Sequence, residues 1–328
     1  LKIPLVLAGN FAELRSNHFH TGLDIKTNNR EGYKLYAIEE GYIARINVSH
    51  WGYGLCIYVQ HPNGYTSVYA HCKSFTSEIE AFVRKAQRKK EKETITLYPG
   101  PEQFPVERGQ VIGFSGNSGS SVAPHLHFEI RDTKTEEPIN PLLFGFDVKD
   151  DIPPIVKGIK IYSLNGANIN GKNTDIIYSA VKTTEGYNLE RKAPIMIHGK
   201  IGLAINTIDK LNEAPNKCGI YSIELYDGDS LIFQQKLERL NFYTNRYINT
   251  HMDYLQYRFR KESYHKSFLS KNNKLDIYGK IKDKGILIFE QNEVKKMKYI
   301  VSDVYGNKSE LNFELQGEPS LKMQNTQK

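Results

Sequence analysis

The sequence predicts a mainly β protein in two parts. Most of the chain consists of short runs in which apolar and polar residues alternate, separated by turns that contain Gly, Asn or Asp. Residues 75–93 interrupt this pattern with a helical composition, and DVKDDIPPIVKG, residues 147–158, carries the Pro pair of a linker. We therefore expect an antiparallel β domain at residues 1–150 with a short helical insertion at about 75–93, a β-sandwich domain at 151–317 and a flexible tail at 318–328.

The first part contains a clear hairpin signal. The stretch GLCIYVQHPNGYTSVYAHC has two alternating runs around Asn63-Gly64, a pair typical of a tight type I′ turn. With a two-residue loop, Leu55 lies opposite Cys72 and Cys56 lies opposite His71, so the two cysteines point to opposite faces. A three-residue loop would place the cysteines opposite each other, so this inference depends on the register.

The helical insertion contains the stretch SEIEAFVRKAQRKKEKE. Its cluster of Lys and Arg is compatible with a helix that binds nucleic acid. Glu80, Glu91 and Glu93 interleave with the cations and no pattern of stacking aromatic residues follows, which favours an exposed helix. We therefore expect no nucleic-acid partner. Because the insertion follows His71 directly, it is a candidate wall or gate of any site near that residue.

The second part has the turn pattern of an all-β sandwich. Alternating runs such as GIYSIELYDGDSLIFQQKL and KMKYIVSDVYGNKSELNFEL contain Asp-Gly or Gly-Asn turns. The net charge of +7 also lies here, because residues 1–150 contain 17 basic and 17 acidic residues. This excess is compatible with an anionic envelope polymer or nucleic acid as partner, although a solvated basic surface explains it as well.

Composition excludes several classes of protein. No apolar run reaches the ~18–20 residues that span a bilayer, so we expect no transmembrane segment in this chain. The chain starts at Leu1 rather than at Met, and we expect an export leader to have been removed. The three cysteines form no CxxC pair, which excludes a cysteine-based zinc finger, and their odd number does not fit a disulfide scaffold.

The stretch SVAPHLHFEIR carries the first candidate chemistry. On a strand, residues i and i+2 share a face, so His125 and His127 point the same way while Leu126 and Phe128 point into the opposite layer. Neutral imidazoles so placed can bind a metal ion. An isolated HxH pair is also an ordinary half-buried feature of strands, so this motif is weak by itself.

Two further stretches carry residues of the same chemistry. In NHFHTGLDIK, His20 and Asp24 are four residues apart, which places them on one face of a helix or of a strand, and His18 is a rival because it forms a second HxH with His20. In SVYAHCK, we expect His71 to end a strand on the face shared by Tyr69 and Ser67, with Cys72 buried on the other face.

Together these residues predict a catalytic metal site. His20, Asp24 and one histidine of the HLH pair supply three ligands and leave an open position, the arrangement of a catalytic rather than a structural zinc. The other HLH histidine and His71 remain free to accept a proton or to stabilise an oxyanion. An HExxH helix is absent, GNSGS lacks the final Gly of a nucleophile elbow, and the Gly-rich stretch lacks the G-K-[ST] of a phosphate loop.

Four stretches carry a family resemblance, and they occur in the order HFHTGLD, YAH, the Gly-Ser loop and PHLHFEI. Across roughly residues 5–145 the chain resembles the LytM-type zinc metallopeptidases of the M23 family. The family motifs HxxxD and HxH, with a histidine between them, are all present. The resemblance implies a LytM-type antiparallel β core, Zn²⁺ as cofactor and His20, Asp24 and His127 as its ligands. It implies His71 and His125 as catalytic histidines and leaves His18 outside the metal site.

The family resemblance also implies a function. Such enzymes use zinc to polarise the scissile carbonyl and to activate water, while the two histidines bind and relay protons. Their substrates are the peptide cross-links of bacterial peptidoglycan, so we expect peptidoglycan stem peptides and cross-bridges as partners, and an exported protein of the periplasm or cell envelope. Residues 151–317 resemble Ig-like sandwiches found beside such peptidases and are a candidate surface for an envelope protein partner.

The alternative function is regulatory. Some LytM-type domains have lost ligands and act as binding regulators of other cell-wall hydrolases. All five expected positions are present in this chain, which favours catalysis.

Overall fold

A computed structural model describes residues 1–191 and 193–319 of the chain. Strands account for 46% of it and helices for 11%, which confirms the mainly β prediction. Within the described residues the strands form two eleven-stranded sheets, one made of residues before 140 and one of residues after 154. Of the predicted tail, residues 320–328 lie outside the described residues.

The first sheet is antiparallel at every pairing between its strands. Its centre has the order β2-β10-β6-β5-β4. The strands are β1 (Leu7–Gly9), β2 (Leu23–Lys26), β3 (Lys34–Tyr36), β4 (Gly41–Val48), β5 (Leu55–Gln60), β6 (Tyr65–Phe75), β7 (Ile95–Leu97), β8 (Pro105–Val106), β9 (Val111–Ser115), β10 (His125–Asp132) and β11 (Pro138–Ile139).

The β5–β6 hairpin has a different turn from the one predicted. The His61 N–H donates to the Tyr65 carbonyl at 2.9 Å, so the loop is residues 62–64 and contains three residues rather than two. Leu55 nevertheless lies opposite Cys72, as predicted, because an irregularity further along the pair shifts the register by one residue. Both Cys56 and Cys72 are buried free thiols, and they belong to different apolar clusters.

The insertion forms helix α1 (Ser77–Lys90), as predicted. Acidic residues occupy its first turn and basic residues its last turn, an arrangement that complements the helix dipole. Ile79 and Val83 point from it into the core of the first sheet, while its charged residues stay exposed. The chain leaves the helix at Glu91, which has left-handed backbone angles.

The second sheet surrounds its own apolar core. Strand β15 pairs with both β12 and β22, which closes a ring through β13 and β14. The strands are β12 (Ile155–Ile169), β13 (Ile176–Thr183), β14 (Gly186–Leu189), β15 (Ile195–Ile208), β16 (Ser222–Asp227), β17 (Ser230–Lys236), β18 (Tyr264–Lys266), β19 (Tyr278–Ile281), β20 (Leu287–Ile288), β21 (Val294–Ser302) and β22 (Lys308–Gly317). An Ig-like topology for this part stays a prediction.

A helical connection, residues 242–260, joins β17 to β18. It consists of α2 (Phe242–Asn245), α3 (Ile248–His251) and α4 (Tyr254–Arg260). Its Ile248 and Met252 are fully buried in the core of the first sheet. Two 3₁₀ turns, Pro141–Phe144 and Asp283–Gly285, complete the helical elements. Among the described helices, none has the length and apolar character needed to cross a membrane.

The two parts of the chain share a core although they have separate sheets. The sheets divide between Ile139 and Ile155, where the sequence predicts the boundary. Leu211, Leu237 and Leu240 come from the second part, yet they pack in the apolar core of the first. The division into domains at residue 150 therefore stays a prediction, and the second part is positioned firmly against the first.

Candidate metal centre and active site

Strand β10 places its two histidines as predicted. His127 lies opposite Asp24 of β2 on one side and opposite Ala70 of β6 on the other. Leu126 and Phe128 are buried in the apolar core, so the histidines face away from that core. Because paired residues of neighbouring strands share a face, His127 and Asp24 meet above the sheet.

Three predicted ligand atoms converge at this point. His127 Nδ1 lies 2.9 Å from Asp24 Oδ1, and His20 Nε2 lies 3.1 Å from both atoms. We call His20, Asp24 and His127 the histidine–aspartate cluster. His127 lies on β10 and Asp24 on β2, but His20 lies in the loop before β2, so the shared face predicted for His20 and Asp24 is not what brings this pair together.

Gly22 allows the loop to approach β10 closely. A Cβ atom at this position would lie 2.4 Å from the Phe128 carbonyl oxygen and 3.0 Å from His127 Nε2. Any other residue would therefore push the loop, and with it His20, away from the strand. The Gly of the HTGLD stretch thus has a steric role beside the ligands.

Each ligand is oriented by a contact on its outer side. His20 Nδ1 lies 2.8 Å from the Asn10 carbonyl and His127 Nε2 lies 2.9 Å from Glu129 Oε1. In a neutral imidazole, donation by the outer nitrogen leaves the nitrogen that faces the cluster with a lone pair for a metal ion, whereas a protonated imidazole donates from both nitrogens, as His127 then does to Asp24 and Glu129. Arg15 donates to Asp24 Oδ2 at 3.1 Å. The other oxygen, Oδ1, therefore faces the histidines of the cluster.

Glu129 is a functional residue that the sequence reasoning missed. It is fully buried and accepts hydrogen bonds from Thr21, Tyr53 and Arg131, each at 2.6 Å. Burial alone would raise its pKa, but the Arg131 charge and the hydrogen bond from His127 hold the pKa well below its usual range. The sequence pattern that could have revealed Glu129 is the alternation in HLHFEIR, because residue 129 lies on the same strand face as residues 125 and 127.

His71 reaches the site by a route that the alternation does not predict. It has left-handed backbone angles, with φ of 58°, at the irregularity between β5 and β6. Tyr69 and Cys72 both lie in the core of the first sheet, while His71 lies on the opposite side. The predicted face, shared with Tyr69 and Ser67, is therefore wrong, because the bulge rotates His71 towards the histidine–aspartate cluster.

His71 and His125 form a second pair beside the cluster. Their ring centroids are 4.8 Å apart, and the His125 Nε2 atom lies 3.4 Å from Asp24 Oδ1. His71 Nδ1 contacts the Ser118 carbonyl at 2.8 Å and His125 Nδ1 contacts the Ala123 carbonyl at 2.8 Å. Both carbonyls belong to the loop between β9 and β10, so this Gly-Ser loop orients both histidines through Nδ1.

Charge in the site is set by burial and by the histidines. Burial would raise the pKa of Asp24, but hydrogen bonds from His125, His127 and His20 outweigh it and hold this pKa far below its usual range. Burial, together with the neighbouring histidines, lowers the pKa of His71 to about 4. Asp24 is therefore a carboxylate and His71 a neutral imidazole at pH 7.

The cluster opens into a cleft of about 1360 Å³. His18 lines this cleft but binds Asn17 rather than the cluster, as the family resemblance implies. No residue of α1 lines it within the described chain, so the insertion does not wall the cleft. The opposite wall instead comes from the helical connection, through Phe242, Asn245, Arg246 and Tyr257.

Asn245 fixes this wall against the ligand loop. Its side chain accepts from the Phe19 N–H at 2.7 Å and donates to the Phe19 carbonyl at 3.0 Å, one residue before His20. Tyr257 adds a hydrogen bond from its hydroxyl to the Leu14 carbonyl at 3.2 Å. The second part of the chain thus contributes directly to the shape of the candidate active site.

The first part of the chain is similar to proteins of a known family. Residues 18–96 and 101–141 match the sequence model of Peptidase family M23. Over 129 residues the chain is 31% identical to the DD-carboxypeptidase/endopeptidase Mpg of Neisseria meningitidis serogroup B and 30% identical to the protein of that name from Neisseria gonorrhoeae. The match covers 39% of this chain and 23% of each relative, so the chain spans about a quarter of their length.

Solved structures give more distant matches. The catalytic domain of the prophage-encoded M23 protein EnpA from Enterococcus faecalis covers 44% of this chain and 95% of its own, with 21% identity and a TM-score of 0.33. The catalytic domain of lysostaphin from Staphylococcus simulans covers 43% and 91%, with 22% identity and a TM-score of 0.32. A zinc containing peptidase from Vibrio cholerae covers 47% and 39%, with 21% identity and a TM-score of 0.31.

The family match spans all five predicted site residues. His20, Asp24 and His71 lie within its first segment, and His125 and His127 lie within its second. Within this chain, residues 18–96 and 101–141 are therefore similar to Peptidase family M23, and the similar region includes every predicted site residue.

Proposed function

We propose that this chain is a zinc-dependent endopeptidase that hydrolyses peptide cross-links of bacterial peptidoglycan. The observation that carries the proposal is the convergence of three ligand atoms beside two free imidazoles in one open cleft. Three protein ligands with an open position are typical of catalytic zinc, and a structural site would be closed by a fourth.

The donor set fits zinc. A tetrahedral ion with bonds of about 2.0–2.1 Å to imidazole nitrogen and carboxylate oxygen needs ligand atoms about 3.3–3.4 Å apart. The three atoms of the histidine–aspartate cluster are 2.9–3.1 Å apart, so small side-chain shifts accommodate the ion. Zinc held there would supply a Lewis acid for the scissile carbonyl and would lower the pKa of a water molecule.

The two remaining histidines would handle protons. Their Nδ1 atoms are engaged with loop carbonyls, so Nε2 of each is directed to the cleft and is able to accept or donate a proton. In its neutral form His71 is able to take a proton from the attacking water, and an imidazolium at either position would stabilise an oxyanion. Proton return to the leaving amine then completes the cleavage of the peptide bond.

The cleft favours an anionic peptide. Besides Asp24, its charged lining residues are Arg15, Lys26 and Arg246, and Arg15 is already bound to Asp24. Within the described chain Arg246 forms no ion pair and stacks over the Tyr247 ring. Stem peptides of peptidoglycan carry free carboxylates, which two cations of the cleft are placed to attract.

Similarity to the Neisseria proteins supports the substrate assignment. Their name describes cleavage of D,D-peptide bonds, and the aligned region coincides with the family match. A cross-link within or next to a meso-diaminopimelate bridge is therefore the substrate we propose, with a glycine-rich bridge as the alternative outcome. The same proposal places the protein in the bacterial cell envelope, where that polymer lies.

Digestion of purified sacculi of known cross-link type tests the proposal. The protein is stripped of metal, reloaded with zinc and incubated with the sacculi, and the released muropeptides are identified by mass. We expect cross-linked dimers to be converted to monomers by wild type and by His18→Ala, but not by His127→Ala. If zinc-loaded wild type releases no peptide products while still binding the sacculi, the domain is a regulator rather than a peptidase.

A further inference from the structure

Three aspartates meet at the junction of the two sheets. Asp150 lies in the segment between the sheets, Asp209 directly follows β15 and Asp303 directly follows β21. One oxygen of each lies within 4.8 Å of the others. Asp209 and Asp303 are only 2% and 4% exposed. We call these three residues the aspartate cluster.

The protein itself does not neutralise this cluster. Within the described residues no Lys or Arg forms an ion pair with any of the three carboxylates. Burial, followed by the charge of Asp150, raises the pKa of Asp209 to about 8, and burial also raises the pKa of Asp150. Three carboxylates at this spacing, with Asp209 and Asp303 buried and Asp150 partly buried, need either protons or a cation.

A second observation points to a ligand. Asp209 Oδ1 and Asp150 Oδ2 are buried and have no hydrogen-bond partner. Both oxygens of Asp303 accept hydrogen bonds, from the backbone N–H groups of Tyr305 and Asn307 and from the Asn307 amide, whereas Asp150 accepts one on its other oxygen, from the Ile152 N–H. A buried carboxylate oxygen without a donor is uncommon in a folded protein and indicates a missing partner.

The space beside the carboxylates suits one small ion. All three aspartates, with Asn10 and Asn140 of the first part, line a cavity of about 10 Å³. That volume is about the size of a single water molecule's probe sphere, so the cavity is able to hold one ion and no larger ligand. Asn10 is itself held in place by two hydrogen bonds to Gly219 of the second part, each at 2.8 Å.

We propose that Asp150, Asp209 and Asp303 bind one hard divalent cation of the Ca²⁺ class that joins the two parts of the chain. The set consists of oxygen donors alone, which Ca²⁺ prefers, and it lacks the imidazole or thiolate typical of zinc sites. Ca²⁺–O bonds of about 2.3–2.6 Å allow ligand oxygens up to about 5 Å apart, which agrees with the observed spacing. The ion ties the segment between the sheets to the ends of β15 and β21.

This site is independent of the proposed peptidase. It lies in the junction rather than in the catalytic cleft, and none of its residues lines that cleft. Its expected role is to hold the second part of the chain in its packing against the first.

Thermal unfolding of the full chain tests the site. The protein is treated with EGTA, which removes zinc as well as Ca²⁺, and CaCl2 or MgCl2 is then added in excess. For wild type we expect Ca²⁺ to raise Tm by roughly 5 °C at a hundredfold excess over Kd. Asp229→Asn, which changes an exposed aspartate, is expected to show the same rise.

The Asp209→Asn variant has two opposite expectations. It loses the Ca²⁺-dependent rise because a ligand oxygen is gone, yet in EGTA its Tm equals or exceeds that of wild type, because the neutral amide avoids the cost of burying a charge or of taking up a proton. A folding defect would instead lower Tm in both conditions. The proposal is overturned if neither cation shifts the Tm of wild type, or if Asp209→Asn keeps the full shift.

Terbium luminescence gives a second measurement. The Tyr305 backbone N–H donates to Asp303 Oδ1 at 2.9 Å, so this tyrosine is near enough to sensitise Tb³⁺ in the site. We expect luminescence on excitation of tyrosine that Ca²⁺ displaces and that Asp209→Asn abolishes. If the variant gives equal luminescence, Tb³⁺ binds elsewhere on the protein, and the proposal is contradicted.

Discussion

The histidine–aspartate cluster and the aspartate cluster each bring three possible metal ligands within 4.8 Å of one another. They differ in how many carboxylates they contain and in how the negative charge is balanced. The first has one carboxylate, Asp24, which receives hydrogen bonds from three histidines and from Arg15. The second has three carboxylates and two oxygens without partners. The comparison teaches that donor type and outer contacts, rather than proximity, distinguish a zinc site from a site for a hard cation.

Access separates the two clusters as well. The histidine–aspartate cluster opens to a large cleft and has two unbound imidazoles beside it, as catalysis requires. The aspartate cluster adjoins a cavity the size of one ion, so it has no space for a substrate. We therefore expect changes in the first cluster to affect turnover and changes in the second to affect stability.

The largest expected effect is loss of a zinc ligand. His127→Ala should reduce peptide release by at least about 10³-fold, because the several kcal/mol that the metal supplies to the transition state are lost. Zinc content and muropeptide release are measured on the same sample, with His18→Ala as the histidine control. Activity of His127→Ala within tenfold of wild type would show that this cluster is not the catalytic metal site.

A smaller effect is expected for the histidines beside the metal. His71→Ala should keep zinc but lower kcat by about 10²-fold or more, as expected for loss of a general acid or base. The check is a zinc titration together with steady-state kinetics on a soluble muropeptide dimer. If the variant also loses its zinc, His71 is a ligand, and the separation between ligands and proton-handling residues is wrong.

The contact between Glu129 and His127 should contribute measurably to zinc affinity. Glu129→Gln keeps the shape of the side chain but removes the charge that orients His127, so zinc affinity should fall by about 10–100-fold. Competition with a chelator measures the zinc affinity. Circular dichroism first confirms that the variant folds, because the substitution removes the Glu129 charge that pairs with Arg131. Glu107→Gln, on the exposed surface, is the control, and equal affinities for both variants would remove Glu129 from the site.

The smallest effect concerns pH and the aspartate cluster. In the folded protein the pKa of Asp209 is raised to about 8, above the value of about 4 that an unfolded chain has. Between these values the folded state holds a proton that the unfolded state has released, so stability falls as pH rises from about 4 to 8. Burial also raises the pKa of Asp150, to about 7, so this carboxyl adds to the slope.

Denaturation midpoints at pH 5 to 8 in EGTA measure this slope. We expect a decline for wild type, a flatter profile for Asp209→Asn, and a flatter profile for wild type when Ca²⁺ is present. Identical slopes for wild type and Asp209→Asn would mean that the carboxylate titrates normally and that the aspartate cluster is not strained.

The motifs of the candidate metal ligands were accessible to sequence reasoning because each motif is local. HxH on a strand needs only the period of two, and HxxxD places an imidazole and a carboxylate within one short loop and strand. The helical insertion was also predictable, since its acidic start and basic end belong to one continuous segment. The contacts that bring the two motifs together are not local, because His127 meets Asp24 across 103 residues and His20 across 107.

Other features depended on register or on distant contacts. The side of the sheet that His71 occupies depends on a three-residue turn and a bulge, and alternation from Tyr69 gives the opposite answer. Asn245 contacts Phe19 across 226 residues, so no local pattern could reveal it. The aspartate cluster joins three positions that only the completed packing of the two parts brings together.

The most direct test of the central claim, that the histidine–aspartate cluster is a catalytic zinc site, is a count of bound zinc per chain after reconstitution and removal of free metal. The account predicts one zinc in wild type, in His18→Ala and in His71→Ala, and none in His127→Ala, with peptide release only where zinc and both free histidines are present. Zinc retained at full stoichiometry by His127→Ala, or absent from wild type, would contradict it.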